Sequence, residues 1–490
     1  MSKPALLIPL LAAACAAPLP VVEDPLPLLD PAWDAPEATG AFDLLSALGS
    51  SELGELVDEA LAASPDLAGA VARLDAAEAL LGISRGPLLP SVGAELQNTR
   101  SQINLAARGI PVPDPIRTFG AWNGSFAASW EVDLWGRIRA GVRAAEADLA
   151  ATAADLEGAR VSLAGQVVRA WLILGEARAQ RELAERTLES WRQSERQVAQ
   201  RFEAGLGRAL DLRLLRTSVA SAVAILEGAR EGEALAERAL EALLGGVADG
   251  RRGLEGALPS APPESPSGVP VAVLGQRPDL RGAARRTAAE LARAEVSRAE
   301  LWPRISFTAS SGWNGTKAED IGDPDFSVWS FVGGLSAPLF QGGALRARVR
   351  AADARVRGAV AAWEGLVLRA CAEVERARVR SEAADRRHAA LEEAAREAEG
   401  AETLAQEQYE AGLVGIVEVL ESQRRRLSIE AQVLGSQRAR HEARVDLWLA
   451  LGGHGVAAGS RADSAEPEPA EAPAAKEAPV GAPEAMEARS

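Results

Sequence analysis

The segment 139–147 reads RAGVRAAEA and the segment 346–354 reads RARVRAADA, so a nearly identical stretch recurs 207 positions further along the chain. Three other pairs of matching segments follow the same order in the two halves: PDL at 65–67 and 278–280, FEAGL at 202–206 with YEAGL at 409–413, and LGG at 244–246 and 451–453. Repeated matches at a nearly constant spacing indicate that the chain is a tandem duplication of one structural unit.

The duplication defines the domain organisation. The first repeat is predicted to span residues 51–246 and the second residues 277–453, with a proline-rich linker at 247–276 between them. Clustered prolines favour a linker because proline can continue neither a helix interior nor a central strand. The tail at 456–490 consists largely of Ala, Pro, Glu and Ser without apolar periodicity, and we expect it to be disordered.

Within each repeat, a helix is followed by two segments in which apolar and polar residues alternate. Trp122, Phe126 and Trp130 share one face of such a segment, and Asn123 and Ser125 lie on the other. This alternation predicts β-strands, and aromatic residues near the strand ends are typical of an outer-membrane barrel wall. The predicted strands cover about 91–101 and 120–134 in the first repeat and about 304–313 and 326–340 in the second.

The remainder of each repeat predicts a pair of long helices. Proline is absent from 116–258 and from 339–466, and both windows are rich in Ala, Leu, Arg and Glu. These residues are strong helix formers. Helical hairpins are therefore predicted at 135–246 and 343–452, each reversing direction at an Ala-Gly-Leu turn.

Composition excludes several classes of function. The chain has 53 Lys and Arg against 69 Asp and Glu, a formal net charge of -16, whereas nucleic-acid binders carry a basic surplus. Its three histidines (His388, His441 and His454) and two cysteines (Cys15 and Cys371) lack the spacing of a metal site. We therefore predict no nucleic-acid partner, no enzymatic activity, no cofactor and no metal, and Cys371 is interpreted as a packed apolar residue.

The N-terminus resembles an export signal. Residues 1–14 are predicted to be a signal peptide, because Lys3 precedes a short apolar stretch that ends in small residues. Small residues before Cys15 resemble a bacterial lipobox, which predicts lipidation of this cysteine and an extended, lipid-anchored tether over 15–50. An ordinary signal peptide with an incidental cysteine is the alternative.

The strand count predicts an oligomer. Four strands from one chain cannot close a membrane barrel, since known closed barrels have at least eight. Two, three or four identical chains would supply eight, twelve or sixteen strands, and composition does not choose between three and four chains.

The ordered set of these features resembles the TolC-type outer-membrane factors. It includes the doubled PDL helix, WEVDLWG at 130–136 with its counterpart PLFQGG at 338–343, and the FEAGL and YEAGL turns. With Cys15, the chain is most similar to their lipoprotein (NodT-like) branch. The resemblance implies a mainly α fold with transmembrane β-strands. In it, a homotrimer builds a twelve-stranded outer-membrane barrel from four strands per chain, and the helical hairpins form a periplasmic tunnel.

The same resemblance implies a function. Such proteins are the outer-membrane channels of tripartite efflux or secretion systems, and they passively conduct small molecules from the periplasm to the exterior. They dock a periplasmic adaptor protein that couples them to an inner-membrane transporter of RND or ABC type. The alternative is a lipid-anchored periplasmic or surface coiled-coil scaffold without a channel, in which the alternating segments would form a soluble hairpin.

Two groups of site residues follow from the resemblance. The predicted adaptor-docking tips are the two Ala-Gly-Leu turns: Ala204, Gly205, Leu206, Ala411, Gly412 and Leu413. The predicted periplasmic constriction contains a tyrosine and three acidic residues: Tyr409, Asp211, Glu418 and Glu421. Repeated by threefold symmetry, the two glutamates would surround the pore with negative charge and favour cations, whereas a solvated acidic helix face is the alternative.

Overall fold

A computed structural model describes most of both repeats. The described residues are 44, 48, 50–104, 107, 109, 113–114, 116–254, 256, 258–260, 262 and 275–453. They all fall in one compact unit, Met1–Gly455. Cys15, the predicted signal peptide and the predicted tail at 456–490 lie outside the described residues, and the predictions for them stay predictions.

Apart from the additional helix α1 at the start of the first repeat, the described elements follow the same order in the two repeats. The first repeat contains α1 (Ser51–Ala63), α2 (Pro65–Arg85), β1 (Ser91–Asn104), β2 (Ile116–Val132), α3 (Arg137–Glu203) and α4 (Ala209–Leu243). The second contains α5 (Pro278–Ala299), β3 (Arg304–Gly315), β4 (Ser327–Ser336), α6 (Ala344–Glu410) and α7 (Ile416–Ala450). Helix α1 was not expected from the sequence, although Ser50 caps it by accepting a hydrogen bond from the Leu53 amide.

The ends of several strands differ from their predicted positions by a few residues. β1 continues three residues past the predicted end, to Asn104, and β2 begins earlier, at Ile116, because β1 pairs with β2 along its whole length. β4 ends at Ser336 rather than at 340, since its last partner is Arg304, the first residue of β3. Pro338, which cannot donate to a sheet ladder, lies beyond that end.

The four strands form one antiparallel sheet in the order β1-β2-β3-β4. Its central pair joins the two repeats, with Trp122 opposite Gly315 and Val132 opposite Ile305. Cross-strand partners lie on the same face of a sheet. The register therefore places most aromatic residues of β2, β3 and β4 on one face, whereas Phe119 lies on the other. The residues on the shared face are Trp122, Phe126, Trp130, Phe307, Trp313, Trp329 and Phe331.

The two long helices have the same length. Helices α3 and α6 each contain 67 residues, which corresponds to about 100 Å at 1.5 Å per residue. The returning helices α4 and α7 contain 35 residues each. Among the described residues, no helix is long and apolar enough to cross a membrane.

Indole groups connect the sheet to the helices. Trp135 follows β2 and stacks on Trp302 of the other repeat at a ring-centroid distance of 5.0 Å. Its Nε1 donates to the Pro303 carbonyl at 2.6 Å, immediately before β3. Asp133 then caps α3, since its carboxylate accepts from the amides of Ile138 and Arg139.

Salt bridges accompany the packing of α5 against α3. Three arginines of α5 reach carboxylates of α3, in the pairs Arg281 with Glu157, Arg286 with Asp155, and Arg293 with Asp148. A fourth pair runs in the opposite sense, from Arg143 of α3 to Glu295 of α5. Most of these side chains are half exposed, so each pair contributes at most about 1 kcal/mol to stability. The order of the pairs shows that the two helices run antiparallel.

The second repeat contains a buried polar cluster on α6 and α7. His441 is 1% exposed, and its Nε2 donates to the carbonyl of Pro259 in the linker at 2.8 Å. Burial, as the largest effect, lowers the pKa of His441 and of His388 below their ordinary value of 6.5, and the nearby Arg440 lowers both further. Asp385, which accepts from Arg440, limits this effect on His388.

Cys371 lies on α6 and is buried, as the sequence predicted. It packs in a cluster with Val367, Val374 and Leu447. Burial raises the pKa of its thiol, which keeps the reactive thiolate form scarce at neutral pH.

Candidate functional site

The two helical hairpins end in turns with the same backbone. At the first tip, Gly205 has φ 74° and the Leu206 amide donates to the Arg201 carbonyl at 2.8 Å. At the second, Gly412 has φ 75° and the Leu413 amide donates to the corresponding carbonyl, also at 2.8 Å. This hydrogen-bond pattern is the Schellman motif, which requires a residue in the left-handed region. Glycine adopts that region without steric cost.

Apolar side chains are exposed at both tips. Leu206 is 75% exposed and Leu413 is 76% exposed. On the helices that leave the turns, Leu210 and Val417 are also more than half exposed. Contiguous exposed apolar residues at the end of a helical hairpin are typical of a protein-binding surface.

The predicted acidic residue of the first tip is buried and paired. Asp211 is 8% exposed, and its carboxylate accepts from Nη2 and Nε of Arg208 at 3.2 and 3.3 Å. Arg208 itself is largely exposed. The structure therefore places Asp211 against the hairpin rather than on an open surface.

The predicted acidic residues of the second tip have a different environment. Glu418 and Glu421 are exposed, and within the described residues neither makes an ion pair. They line a groove of about 450 Å³ whose other residues include Ala398, Ala401 and Val417. The same tip thus combines two free carboxylates with a small apolar depression.

Two basic residues of the first hairpin lie at the second tip, and the sequence did not predict them. The Arg201 guanidinium lies over the Tyr409 ring, 5.3 Å from its centroid. The Nη2 atom of Arg208 lies 4.0 Å from the position that a Cβ atom would occupy on Gly415. The two tips of one protomer are therefore adjacent. The repeat alignment does show that these two arginines are specific to the first repeat, because Arg208 aligns with Gly415 and Arg201 aligns with Gln408.

An apolar cluster holds the two hairpins together above the tips. It includes Trp191, Leu188 and Leu215 from the first hairpin and Ile416 and Leu420 from the second. Tyr409 packs against this cluster. Fully burying side chains of this size contributes about 1.5–3 kcal/mol each, so the cluster holds the tips in position relative to each other.

The sheet forms the second part of the candidate site. The face opposite the aromatic residues consists mainly of small and polar side chains, including Ser91, Ser125, Ser129, Thr308 and Ser310. Cross-strand hydroxyl pairs occur on it, with 2.7 Å between the Oγ atoms of Ser91 and Ser129. Apolar side chains are few on this face and include Phe119, Val328 and Val332. The sheet is therefore broadly amphipathic, as one wall of a water-filled membrane pore requires. Among the described residues, no group of His, Cys, Asp and Glu is placed to hold a metal ion.

Long helical hairpins attached to an amphipathic four-stranded sheet define an outer-membrane channel component of an efflux system. The outer membrane efflux protein family matches residues 56–246 and 269–453, which are the two repeats. The chain belongs to this family.

The sequences of known relatives align with nearly the whole chain. The chain is 31% identical to outer membrane protein OprJ of Pseudomonas aeruginosa, over 92% of this chain and 97% of OprJ. It is 30% identical to the pyoverdine export outer membrane protein OpmQ of Pseudomonas putida, over 90% of this chain and 94% of OpmQ. The crystal structure of the outer membrane protein VceC from Vibrio cholerae superposes with a TM-score of 0.74 at 26% identity, covering 83% of this chain and 97% of that chain.

These similarities confirm the predicted family, the TolC-like fold and the outer-membrane location. They support the channel over the alternative of a coiled-coil scaffold, and they place the chain in a family of transport proteins. They do not test the lipoprotein branch or the roles of the tip and constriction residues, which stay predictions.

Proposed function

We propose that three copies of the chain form a passive duct from the periplasm to the exterior, coupled through a periplasmic adaptor to an inner-membrane transporter of RND or ABC type. The observation that carries this proposal is the amphipathic sheet, because within the described residues β1 and β4 each have a strand neighbour on one side only. Pairing β4 of one protomer with β1 of the next closes twelve strands around an aqueous lumen. The duct performs no catalytic step.

The adaptor is proposed to dock at the tips. The exposed Leu206 and Leu413 provide apolar contacts for a helical partner. The Ala-Gly-Leu turns at 204–206 and 411–413 present this surface at the end of each hairpin.

The constriction is proposed to lie at the same level. Glu418 and Glu421 repeat around a threefold axis and favour the passage of cations, whereas Asp211 is neutralised by Arg208. Tyr409 narrows the opening while Arg201 holds its ring. The lipid on Cys15, also part of the proposal, anchors each protomer to the outer membrane.

Single-channel recording in planar bilayers tests the duct. We expect the purified, detergent-extracted trimer to insert and conduct ions, with cation preference reduced in Glu418→Gln with Glu421→Gln. A monomer that stays in solution without detergent and never conducts would contradict the proposal. Substitution of Cys15 by Ser tests the anchor separately, because it removes the acylation site and leaves the barrel unchanged.

A further inference from the structure

The polar face of the sheet carries few charges. Its ionisable residues are Glu95 on β1, Arg117 and Glu131 on β2, and Arg304 on β3. Glu131 is paired with Arg137 at 3.0 Å, and Arg304 lies 3.9 Å from Glu300. Within the described residues Glu95 makes no ion pair, which makes it the acidic group on this face without a nearby cation.

Glu95 lies at the depth of the apolar band on the opposite face. Its neighbours along β1 are Ala94, which is paired with Phe126, and Leu96, which is paired with Gly124. Gly124 is in turn paired with Trp313 of β3. A carboxylate at this depth is costly unless it faces water, so an ionisable residue here indicates a functional position.

The surroundings of Glu95 are small and neutral. Its direct partner is Ser125, and the row continues across the sheet to Gly312 and Val328. None of these residues carries a positive charge that could neutralise the Glu95 carboxylate. The carboxylate is therefore exposed to the solvent that fills the barrel.

We propose that Glu95 determines the electrostatic selectivity of the barrel section, because three copies form a ring of negative charge that concentrates cationic solutes and retards anionic ones. The inference rests on the proposed trimeric duct. It concerns a second filter on the exterior side, separated from the tip carboxylates by the length of α3, about 100 Å.

The dimensions of the barrel allow such a ring to act on the whole cross-section. Twelve strands about 4.8 Å apart and tilted by about 40° enclose a cylinder of about 12 Å radius. A glutamate side chain extends inward from that wall and brings its charge within about 8 Å of the axis, which is about one Debye length at physiological ionic strength. The field of the ring therefore reaches solutes that do not touch the wall.

A reporter cysteine measures this field. Ser125→Cys is nearly isosteric and lies directly opposite Glu95. The full-length protein is reconstituted in liposomes, and a cationic and an anionic methanethiosulfonate reagent of similar size are added at the barrel side. We expect the cationic reagent to react about three to ten times faster than the anionic one, relative to their rates with a free thiol.

Matched variants isolate the contribution of Glu95. In the reporter background, Glu95→Gln should bring the normalised rate ratio close to one, whereas Glu95→Asp should retain most of it. Leu96→Cys, which faces the lipid side, should stay unreactive, and the parent without a reporter gives the background from the native cysteines. Tip variants should not change the ratio, because the reagents do not pass the tips.

The outcomes separate this inference from the proposed function. If Ser125→Cys is inaccessible to both reagents while Leu96→Cys reacts, the polar face does not line a lumen, and the duct itself is overturned. If Ser125→Cys reacts but Glu95→Gln leaves the rate ratio unchanged, the duct stands and the role of Glu95 is overturned. A ratio that falls with Gln and persists with Asp supports the inference.

Discussion

At the first tip a buried aspartate, Asp211, is held by Arg208, whereas at the second tip the corresponding Glu418 is exposed and Gly415 occupies the place of that arginine. The backbones of the two turns are nevertheless the same, with φ of 74° and 75° at their glycines. The duplication has therefore preserved the conformation that reverses the chain and changed the charge around it. At the first tip the carboxylate is paired with an arginine of the same protomer, whereas the second tip presents carboxylates without such a pair.

The largest effect is expected from substitutions of the two glycines that give both tips the same backbone conformation. Gly205→Pro and Gly412→Pro should each abolish efflux, because proline requires φ near −65° and cannot donate the amide hydrogen bonds to Phe202 and Tyr409. The measurement is drug susceptibility of a cell that depends on this duct, with outer-membrane levels determined in parallel. Gly→Ala at the same positions should be milder, at about 1–2 kcal/mol of local strain. Unchanged resistance in the proline variants at normal protein levels would contradict this prediction.

The second largest effect is a difference between Asp211 and Glu418 in how their substitution changes amide exchange. Asp211→Asn removes an ion pair with a largely exposed arginine, which is worth about 0.5–1 kcal/mol, so amide exchange at the first tip should accelerate about twofold to fivefold. Glu418→Gln removes no ion pair and should leave exchange at the second tip unchanged. Hydrogen exchange measured peptide by peptide provides the comparison. Equal responses of the two tips would show that the difference in burial has no energetic consequence.

A gain of charge should make the second tip resemble the first. Gly415 has φ −84°, which any residue adopts, and the atom nearest to an added Cβ is the mobile Oε2 of Glu418 at 3.2 Å. Gly415→Arg should therefore pair with Glu418 and reduce the cation-to-anion permeability ratio by about twofold, since salt screens what remains of the field. Reversal potentials in a salt gradient measure this ratio. Gly415→Gln is the neutral control, and an equal reduction in both variants would indicate a steric cause.

The smallest effect is a dependence on pH, which should differ between the two repeats rather than between the two tips. His388 and His441 correspond to Arg181 and Ala234 of the first repeat, so only the second repeat buries histidines in this part of the hairpin. Because their pKa values are lowered in the folded state, unfolded chains bind protons more readily below pH 6.5. Their contribution to stability is complete above pH 6.5 and is lost as the pH falls toward the folded-state pKa values.

Amide exchange of α6 and α7 should therefore accelerate on acidification more than that of α3 and α4. His441→Gln keeps a donor for the Pro259 carbonyl but does not titrate in this range, so it should reduce the difference between the repeats. A pH response that is identical in both repeats would contradict the role of the histidines.

The long hairpins were predictable because their signals are local. Proline-free windows, helix-forming residues and the glycine turns identified α3, α4, α6 and α7 with ends that differ by only a few residues from those observed. Alternation likewise identified the faces of the strands. Helix α1 was missed although its sequence carries the signal, since the buried Leu53, Leu56, Val57 and Ala60 follow the i, i+3, i+4, i+7 spacing of an amphipathic helix.

The candidate site was only partly predictable. The repeat alignment located the turns, and the four constriction residues were predicted from the family resemblance. The burial of Asp211 and the approach of Arg201 to Tyr409 depend on how two hairpins pack. Pairing of β2 with β3 was also beyond the sequence, because it joins strands from different repeats. Contacts between segments distant in the chain leave no periodic signal in either segment.

The two outer strands of the sheet determine how the protein must be assembled in the cell. An isolated protomer exposes the 14-residue β1 and the 10-residue β4, each with a row of backbone groups that have no strand partner on one side in the described part of the chain. Such rows recruit any available strand, including those of misfolded neighbours. Export of the chain must therefore be coupled to rapid association of protomers, and we expect chaperones and proteases of the periplasm to act on those that are left over.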